Sequence, residues 1–315
     1  MQEKTKRETS VRFSWFPEGQ YQRDFFLKGL AKESEKVRES KNPLAKVDYE
    51  IVSVFKPRRS RVLIKLVELF KNNLHGDVDT SLLYPYRYDT YSRKPGKRLW
   101  FTGENIRPPL DRNFDAYFSF DQDSYGGRNF YLPSWIQLLA LAENYALPHL
   151  GVKLRESTLL SNRQITREKR KFVCVIMRNR NSTRLRAIEA LRKFGEVDIY
   201  GPAAGSYLPD KFQVASNYKF TLCFENDLYP GYVTEKLIEA YATETVPLYW
   251  GDLGDDLRIN RKAFINLRDF ANLESFAEYV SFISYEKYQE IYEEPFLSRV
   301  CNSKDFLQNS LEVIR

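Results

Sequence analysis

Apolar residues in this chain fall in short runs that end in polar clusters, and the runs alternate with stretches of helical period. The clearest case is FTLCFENDLYPGYVTEKLIEAYATETVPLYWGD at residues 220–252. Residues 220–224 and 246–250 are apolar runs of strand length, and residues 234–241 between them carry a helical pattern. Such runs suit strands. The polar residues stand at the edges of these elements. Glu225 and Asn226 close the first run, Gly231 and Tyr232 make a turn, and Thr234 opens a helix with Glu235 and Lys236 in its first turn. Charge at the carboxyl edge of strands is how an open α/β sheet presents a ligand site.

The same rhythm fills the rest of the chain. The pattern predicts strands at 11–16, 47–54, 98–101 and 114–120, helices at 20–31 and 60–70, and a turn at Pro17, Glu18 and Gly19. Further on it predicts strands at 172–177 and 197–200 around a helix at 182–193, then a short strand at 263–266. Helices follow at 273–281, 285–293 and 303–313, with Pro295 ending the second. Alternating strands and helices predict α/β domains. The basic run at 165–171 reads as a solvated linker face. It sets the expected division: an N-terminal domain over 1–160, a C-terminal domain over 161–300, and a terminal helix over 301–315 packing back on the first domain.

Composition changes this picture only modestly. At 315 residues there is room for two domains of ordinary size. The 49 basic and 42 acidic residues leave a formal charge of +7 with both signs mixed. That suits a small anionic ligand such as a nucleotide diphosphate, or loose contact with acidic lipid. Nucleic acid is disfavoured, because the basic run at 165–171 has no interleaved aromatic residues. Cys174, Cys223 and Cys301 form neither a disulfide framework nor a metal motif and read as buried thiols of a reducing compartment. The polar start shows no signal peptide, and no apolar stretch has membrane-spanning length. The expected location is the cytoplasm, with a peripheral place at the inner membrane as the open alternative.

Three places carry candidate chemistry. RNRNSTR at 178–184 lies where a strand gives way to a helix that Ser182 or Thr183 can cap. Helix N-terminal amides attract anions, and Arg184 adds a phosphate clamp, with Arg178 a further candidate. An arginine near the positive end of a helix is mildly unfavourable unless an anion is there to meet it. In the 231–236 turn, Lys236 can neutralise a phosphate and Glu235 can accept from sugar hydroxyls. Glu225 and Asn226, a carboxylate beside an amide, suit a polyhydroxylated ligand or a local cap. Glu104, in FTGEN at 101–105, can serve as a general base that Asn105 orients. Asp121 and Asp123 match the letters of a metal-binding acidic pair, but the basic groups can hold a diphosphate without a metal. Dinucleotide-binding and phosphate-loop glycine motifs are absent from the sequence, which disfavours dehydrogenase and NTPase readings.

These segments resemble the α-1,3/4-fucosyltransferases of glycosyltransferase family 10. The 220–252 block resembles the family signature. FTGEN resembles its acceptor-side glutamate motif, FDAYFSFDQDS at 114–124 the strand after it, and FVCVIMRNRNSTRLRAIEAL at 172–191 the start of the donor domain. The resemblance implies an α/β fold of the GT-B class, two Rossmann-like domains facing across a cleft. It implies inverting transfer of L-fucose from GDP-fucose to an acceptor oligosaccharide containing N-acetylglucosamine, by an α-1,3 or α-1,4 linkage. Glu104 matches the general base and Arg184 the diphosphate-contacting arginine. Tyr232, Glu235 and Lys236 match the donor-binding GYVTEK residues, and Glu225 and Asn226 match a pair near the donor sugar and nucleotide. No metal or other cofactor is required, and a divalent cation would at most stimulate. This chain has YGGRNFYLPSW at 125–135 where many relatives show a simpler arginine-tyrosine-proline pattern, and Arg128 is the candidate for that arginine. Lacking the anchor and disulfides of the Golgi members, the chain looks like a bacterial-type soluble member. A related enzyme with another nucleotide sugar or acceptor, and a glycan- or nucleotide-binding protein without catalysis, are the competing readings.

Overall fold

The computed structural model describes residues 8–14, 16, 21–31, 36–42, 45–54, 96–142, 153–166, 168, 171–178, 180–206, 208 and 210–314. The expected helix at 60–70, the turn at 17–19 and residues 167, 169 and 170 of the basic run at 165–171 lie outside the described residues. The chain divides into two compact units, one of residues 1–119, 124–130 and 306–315, the other of residues 120–123 and 131–305.

The first unit holds β1 (Glu8–Ser14), α1 (Tyr21–Leu30), β2 (Lys36–Glu39), β3 (Tyr49–Ser53), β4 (Lys97–Phe101) and β5 (Ala116–Ser119), with β6 (Asn129–Tyr131) on its edge. Its sheet runs β2-β1-β3-β4-β5-β6. The pairs β1–β2, β1–β3, β3–β4 and β4–β5 are parallel. Its core is aromatic. The Phe26 ring of α1 meets Phe101 and Phe118 edge-on at 5.2 and 5.5 Å, welding the helix to β4 and β5. Buried Glu50 pairs with Arg12 at 3.3 Å and Arg98 at 3.2 Å, joining β1, β3 and β4.

The second unit begins with α2 (Ser134–Leu141) and α3 (Glu156–Leu159) and continues through β7 (Lys171–Ile176), α4 (Ser182–Arg192), β8 (Val197–Tyr200), α5 (Lys211–Ala215) and β9 (Tyr218–Leu222). It then runs through α6 (Lys236–Ala242), β10 (Val246–Tyr249), β11 (Ile265–Asn266), α7 (Leu273–Phe282) and α8 (Tyr285–Glu293). The parallel sheet has the order β11-β10-β9-β7-β8. Val173, Val175, Phe220, Leu222, Val246 and Leu248 form its buried centre, which α4, α7 and α8 cover. Asn272 caps α7 with a reciprocal box to Ser275, and Ser284 caps α8. Arg163 pins α6 to α8. Its guanidinium lies 3.6 Å from the Tyr241 ring centroid and 4.2 Å from that of Tyr292, and it donates to the Tyr241, Thr245 and Tyr292 carbonyls.

One expectation needs correction. The division expected near residue 160 falls at residue 131 instead. The reason is α2, which is buried at every residue but Ala140, packs on α6, and sets Trp135 edge-on to Phe296 at 6.4 Å. A mostly apolar helix is buried all round, and here its burial lies in the second unit. The last helix, α9 (Phe306–Ile314), groups with the first unit, where it packs on α1.

Candidate functional site

In the second sheet β7 lies between β8 and β9, so the chain leaves β7 toward one side and β9 toward the other. This reversal opens a crevice at the strands' carboxyl ends, the usual ligand position in such sheets. Two of the sequence candidates meet there: the start of α4 after β7, and Phe224–Glu225–Asn226 after β9.

Asn181 makes the first link across the crevice. Its Oδ1 accepts from the Thr183 and Arg184 amides at 2.9 and 3.4 Å, so Asn181 is the cap of α4 rather than Ser182 or Thr183. Its Nδ2 donates to the Asn226 carbonyl at 3.1 Å. Arg184 makes the second link. It is 5% exposed and donates to the Phe224 carbonyl at 2.6 Å and to Asn226 Oδ1 at 3.4 Å. Burial lowers the Arg184 pKa, and the Glu225 charge opposes that shift.

Glu225 is fully buried. One carboxylate oxygen accepts from the Thr234 amide at 2.8 Å and from the Tyr249 hydroxyl at 3.4 Å. The other accepts from the Thr234 hydroxyl at 2.7 Å and the Lys236 ammonium at 3.0 Å. The carboxylate, read in sequence as suiting either a polyhydroxylated ligand or a local cap, faces the protein and ties the 231–236 turn to the end of β9. Thr234 has a corresponding change of role. Its hydroxyl serves Glu225 and accepts from Lys236 Nζ at 2.8 Å, and α6 starts at Lys236 instead of Thr234. Burial disfavours the Lys236 ammonium, but Glu225 and Glu235 outweigh it and hold its pKa above the ordinary lysine value. Glu235 and Lys236 are half-buried, and Asn226 is half-exposed.

Tyr232 is 1% exposed, edge-on to Phe120 at 4.9 Å and stacked on Tyr229 at 4.9 Å, so its ring shapes the turn. Two cations therefore stand beside a capped helix N-terminus, Lys236 paired with buried Glu225 and Arg184 bonded to Phe224 and Asn226 on either side of it in the chain. This charge arrangement accommodates an anion.

Glu104 belongs to the first unit. Thr102 Oγ1 accepts its amide at 3.1 Å and donates to its carbonyl at 2.8 Å, and the Ile106 amide donates to the same carbonyl at 2.7 Å. The backbone around Glu104 is thus held tightly, while its side chain is half-exposed and Asn105 exposed. Arg128, also in the first unit, is exposed and lies over the Tyr117 ring at 5.8 Å. Arg178 is exposed beyond the end of β7. Asn181, Thr102 and Thr234 carry more of the geometry than their sequence signals suggested, although a side chain two or three residues before a helix's first amides is the ordinary sign of a cap.

Asp121 is 2% exposed. Among the described residues no three His, Cys, Asp or Glu side chains are grouped to hold a metal ion. The three cysteines are free thiols. Burial pushes Cys174 and Cys301 up to about 12, and Cys223 well above its ordinary value. Among the described residues no helix is long and apolar enough to cross a membrane.

Residues 166–298 match the family described as glycosyltransferase family 10 (fucosyltransferase) C-term. The chain is 29% identical over 200 residues to the alpha-(1,3)-fucosyltransferase FucT of Helicobacter pylori, covering 56% of this chain and 42% of that protein. It is 38% identical over 87 residues to the human 4-galactosyl-N-acetylglucosaminide 3-alpha-L-fucosyltransferase 9, covering 26% of this chain and 24% of that one. The chain thus spans less than half the length of these curated relatives. A crystal structure of an alpha1,3-fucosyltransferase with GDP-fucose superposes with a TM-score of 0.69 at 21% identity, over 100% of this chain and 92% of that one. The likeness shows the fold: two parallel α/β units of the GT-B class.

Proposed function

We propose, from the match of residues 166–298 to the glycosyltransferase family 10 (fucosyltransferase) C-term family, that this protein transfers L-fucose from GDP-fucose to a glycan hydroxyl. The acceptor we propose contains N-acetylglucosamine, and the bond formed is α-1,3, with α-1,4 the second linkage to assay. The carrying observation is two cations at the switch point of the second sheet: Arg184 bonds Phe224 and Asn226, the neighbours of buried Glu225, and Lys236 pairs with Glu225 itself.

In this reading the donor diphosphate meets Arg184, Lys236 and the N-terminus of α4. Tyr232 shapes the turn, Asn226 and Glu235 face the nucleotide and sugar, and Glu225 holds Lys236 in place. Glu104 takes the proton from the acceptor hydroxyl. The acceptor oxygen forms its bond to the fucose anomeric carbon from the side opposite the diphosphate. The bond from that carbon to the diphosphate oxygen breaks, and its electron pair leaves with GDP. The configuration inverts from β to α. Negative charge grows on the departing diphosphate, where the two cations and the helix amides stabilise it. No step draws on a cofactor.

The three free thiols support a reducing compartment such as the cytoplasm. The charge of +7 supports salt-sensitive attachment to an anionic membrane surface, which vesicle co-sedimentation at low and high salt checks. The principal test incubates the purified chain with GDP-fucose, GDP-mannose or UDP-sugars over a glycan array, followed by linkage analysis. Fucose transferred to an N-acetylglucosamine-containing glycan supports the reading, and turnover of a different donor alone overturns it.

A further inference from the structure

Residues 120–123 belong to the second unit although the residues on either side of them belong to the first. Gln122 shows why. Its Nε2 donates to the Leu253 carbonyl at 3.1 Å, and its Oε1 accepts from the Asp255 amide at 2.9 Å. One side-chain amide thereby satisfies the backbone on both sides of Gly254, as a neighbouring strand would. Gly254 has φ +55°, and a Cβ there would collide with the Gln122 amide, so only glycine admits this approach.

The same loop reaches the 231–236 turn. The Gly254 amide donates to Asp252 Oδ1 at 2.9 Å, and the Asp252 carbonyl accepts from the Gly231 amide at 2.9 Å. Asp252 Oδ2 pairs with Arg268 at 2.6 Å. Gly231 has φ +88°, and a Cβ on it would collide with the Phe120 carbonyl. The Phe120 ring lies against Tyr232. Segment 120–123 therefore touches both the turn and the 252–255 loop, and the hydrogen bonds between them form a continuous path. Three residues past Gly231 stands Thr234, and five past it stands Lys236, both bound to Glu225.

We infer that Gln122 is a positioning residue for Lys236: its amide clasps the 253–255 backbone, and the clasp sets the Gly231 turn that delivers Thr234 and Lys236 to Glu225. The role differs from that of a ligand contact, because the amide bonds the loop backbone from both of its atoms. Its consequence for nucleotide binding rests on the donor-site reading above.

The test uses Gln122→Met, which keeps length and loses both hydrogen bonds, and Gln122→Glu, which keeps the acceptor and loses the donor. Amide hydrogen exchange in the free protein needs no ligand. Loss of the clasp should speed exchange at Asp255, Gly231 and Thr234 together, by about tenfold or more, because opening of a linked segment is cooperative. An unchanged Thr234 rate with a fast Asp255 rate overturns the inference, since the clasp would then be local. Calorimetry with GDP supplies the second readout. Gln122→Met should weaken GDP by about tenfold in the wild-type background and by less than about twofold beside Lys236→Ala, as coupled sites require. An equal factor in both backgrounds overturns the inference. If the wild-type protein binds no GDP, the donor reading fails on its own, and the exchange data still decide whether Gln122 sets the turn. Gln122→Glu should behave as Gln122→Met in both readouts if two-sided pairing is required.

Discussion

The Lys236 ammonium lies 3.0 Å from the carboxylate of Glu225, a residue with no solvent exposure at all. Removing one partner of a buried pair leaves the other without compensation. Glu225→Gln should cost about 3 kcal/mol of stability, near the lower end for such pairs because Lys236 keeps part of its surface in water. Denaturant titration reads this directly. A loss below about 1 kcal/mol would mean that the pair contributes little.

The same contact has a pH signature. Glu225 and Glu235 hold the Lys236 pKa above its ordinary value against the effect of burial. The folded state therefore binds this proton more tightly than the unfolded state. The stabilisation is fully present below the unfolded lysine value of about 10.4, and it is lost as pH rises through the folded pKa. Stability measured above about pH 10 should fall more steeply in wild type than in Lys236→Met. Parallel slopes would contradict the assignment.

Arg184 bonds two groups at the end of β9 through a planar fork that lysine cannot copy. Arg184→Lys keeps the charge and loses the fork. GDP affinity should drop about 10- to 100-fold, the worth of one or two charge-assisted hydrogen bonds. Calorimetric titration that gives wild-type affinity for this variant would remove Arg184 from the donor site.

Glu104 separates catalysis from donor binding. With its backbone held by Thr102 and its carboxylate half-exposed, Glu104→Gln preserves shape and removes basicity. Transfer should slow about 10²- to 10⁴-fold, while GDP affinity stays within about twofold because GDP brings no acceptor hydroxyl for Glu104 to deprotonate. Unimpaired transfer would assign the base elsewhere.

Asn181 does two jobs that substitution can divide. Asn181→Ala removes the α4 cap and the bond to Asn226, and should cost about 1 kcal/mol. Asn181→Asp restores the cap acceptor but cannot donate to the Asn226 carbonyl, and it brings negative charge toward the anion site. It should recover thermal stability and still bind GDP weakly. Recovery of both properties would mean that the link across the crevice is immaterial.

The strands of the second sheet were legible because parallel strands buried on both faces are written as unbroken apolar runs. Residues 172–177, 220–224 and 246–250 each match an observed strand within two residues. Helix α2 was not legible. SWIQLLAL has only two polar residues, Ser134 and Gln137, too few to set a period that distinguishes it from loop or strand, and its partners α6 and Phe296 lie about a hundred residues or more away. That omission displaced the domain boundary. The cap of α4 was read one or two residues late because Asn181, Ser182 and Thr183 are all competent caps, and only the backbone conformation chooses among them.

The sequence by itself determined which charges stand at the ends of which strands, and its ordered motifs carried the family resemblance. Tertiary structure decided where those charges point. With β8 on the outer side of β7, strands β7 and β9 become neighbours, and Arg184 comes to lie against Phe224 and Asn226. Glu225, which in sequence reads equally as a ligand contact or a local cap, is turned inward onto Thr234 and Lys236. A carboxylate in a strand end can face either way. The free energy of burying it is recovered only where donors converge, and that convergence depends on contacts nine and eleven residues further along the chain.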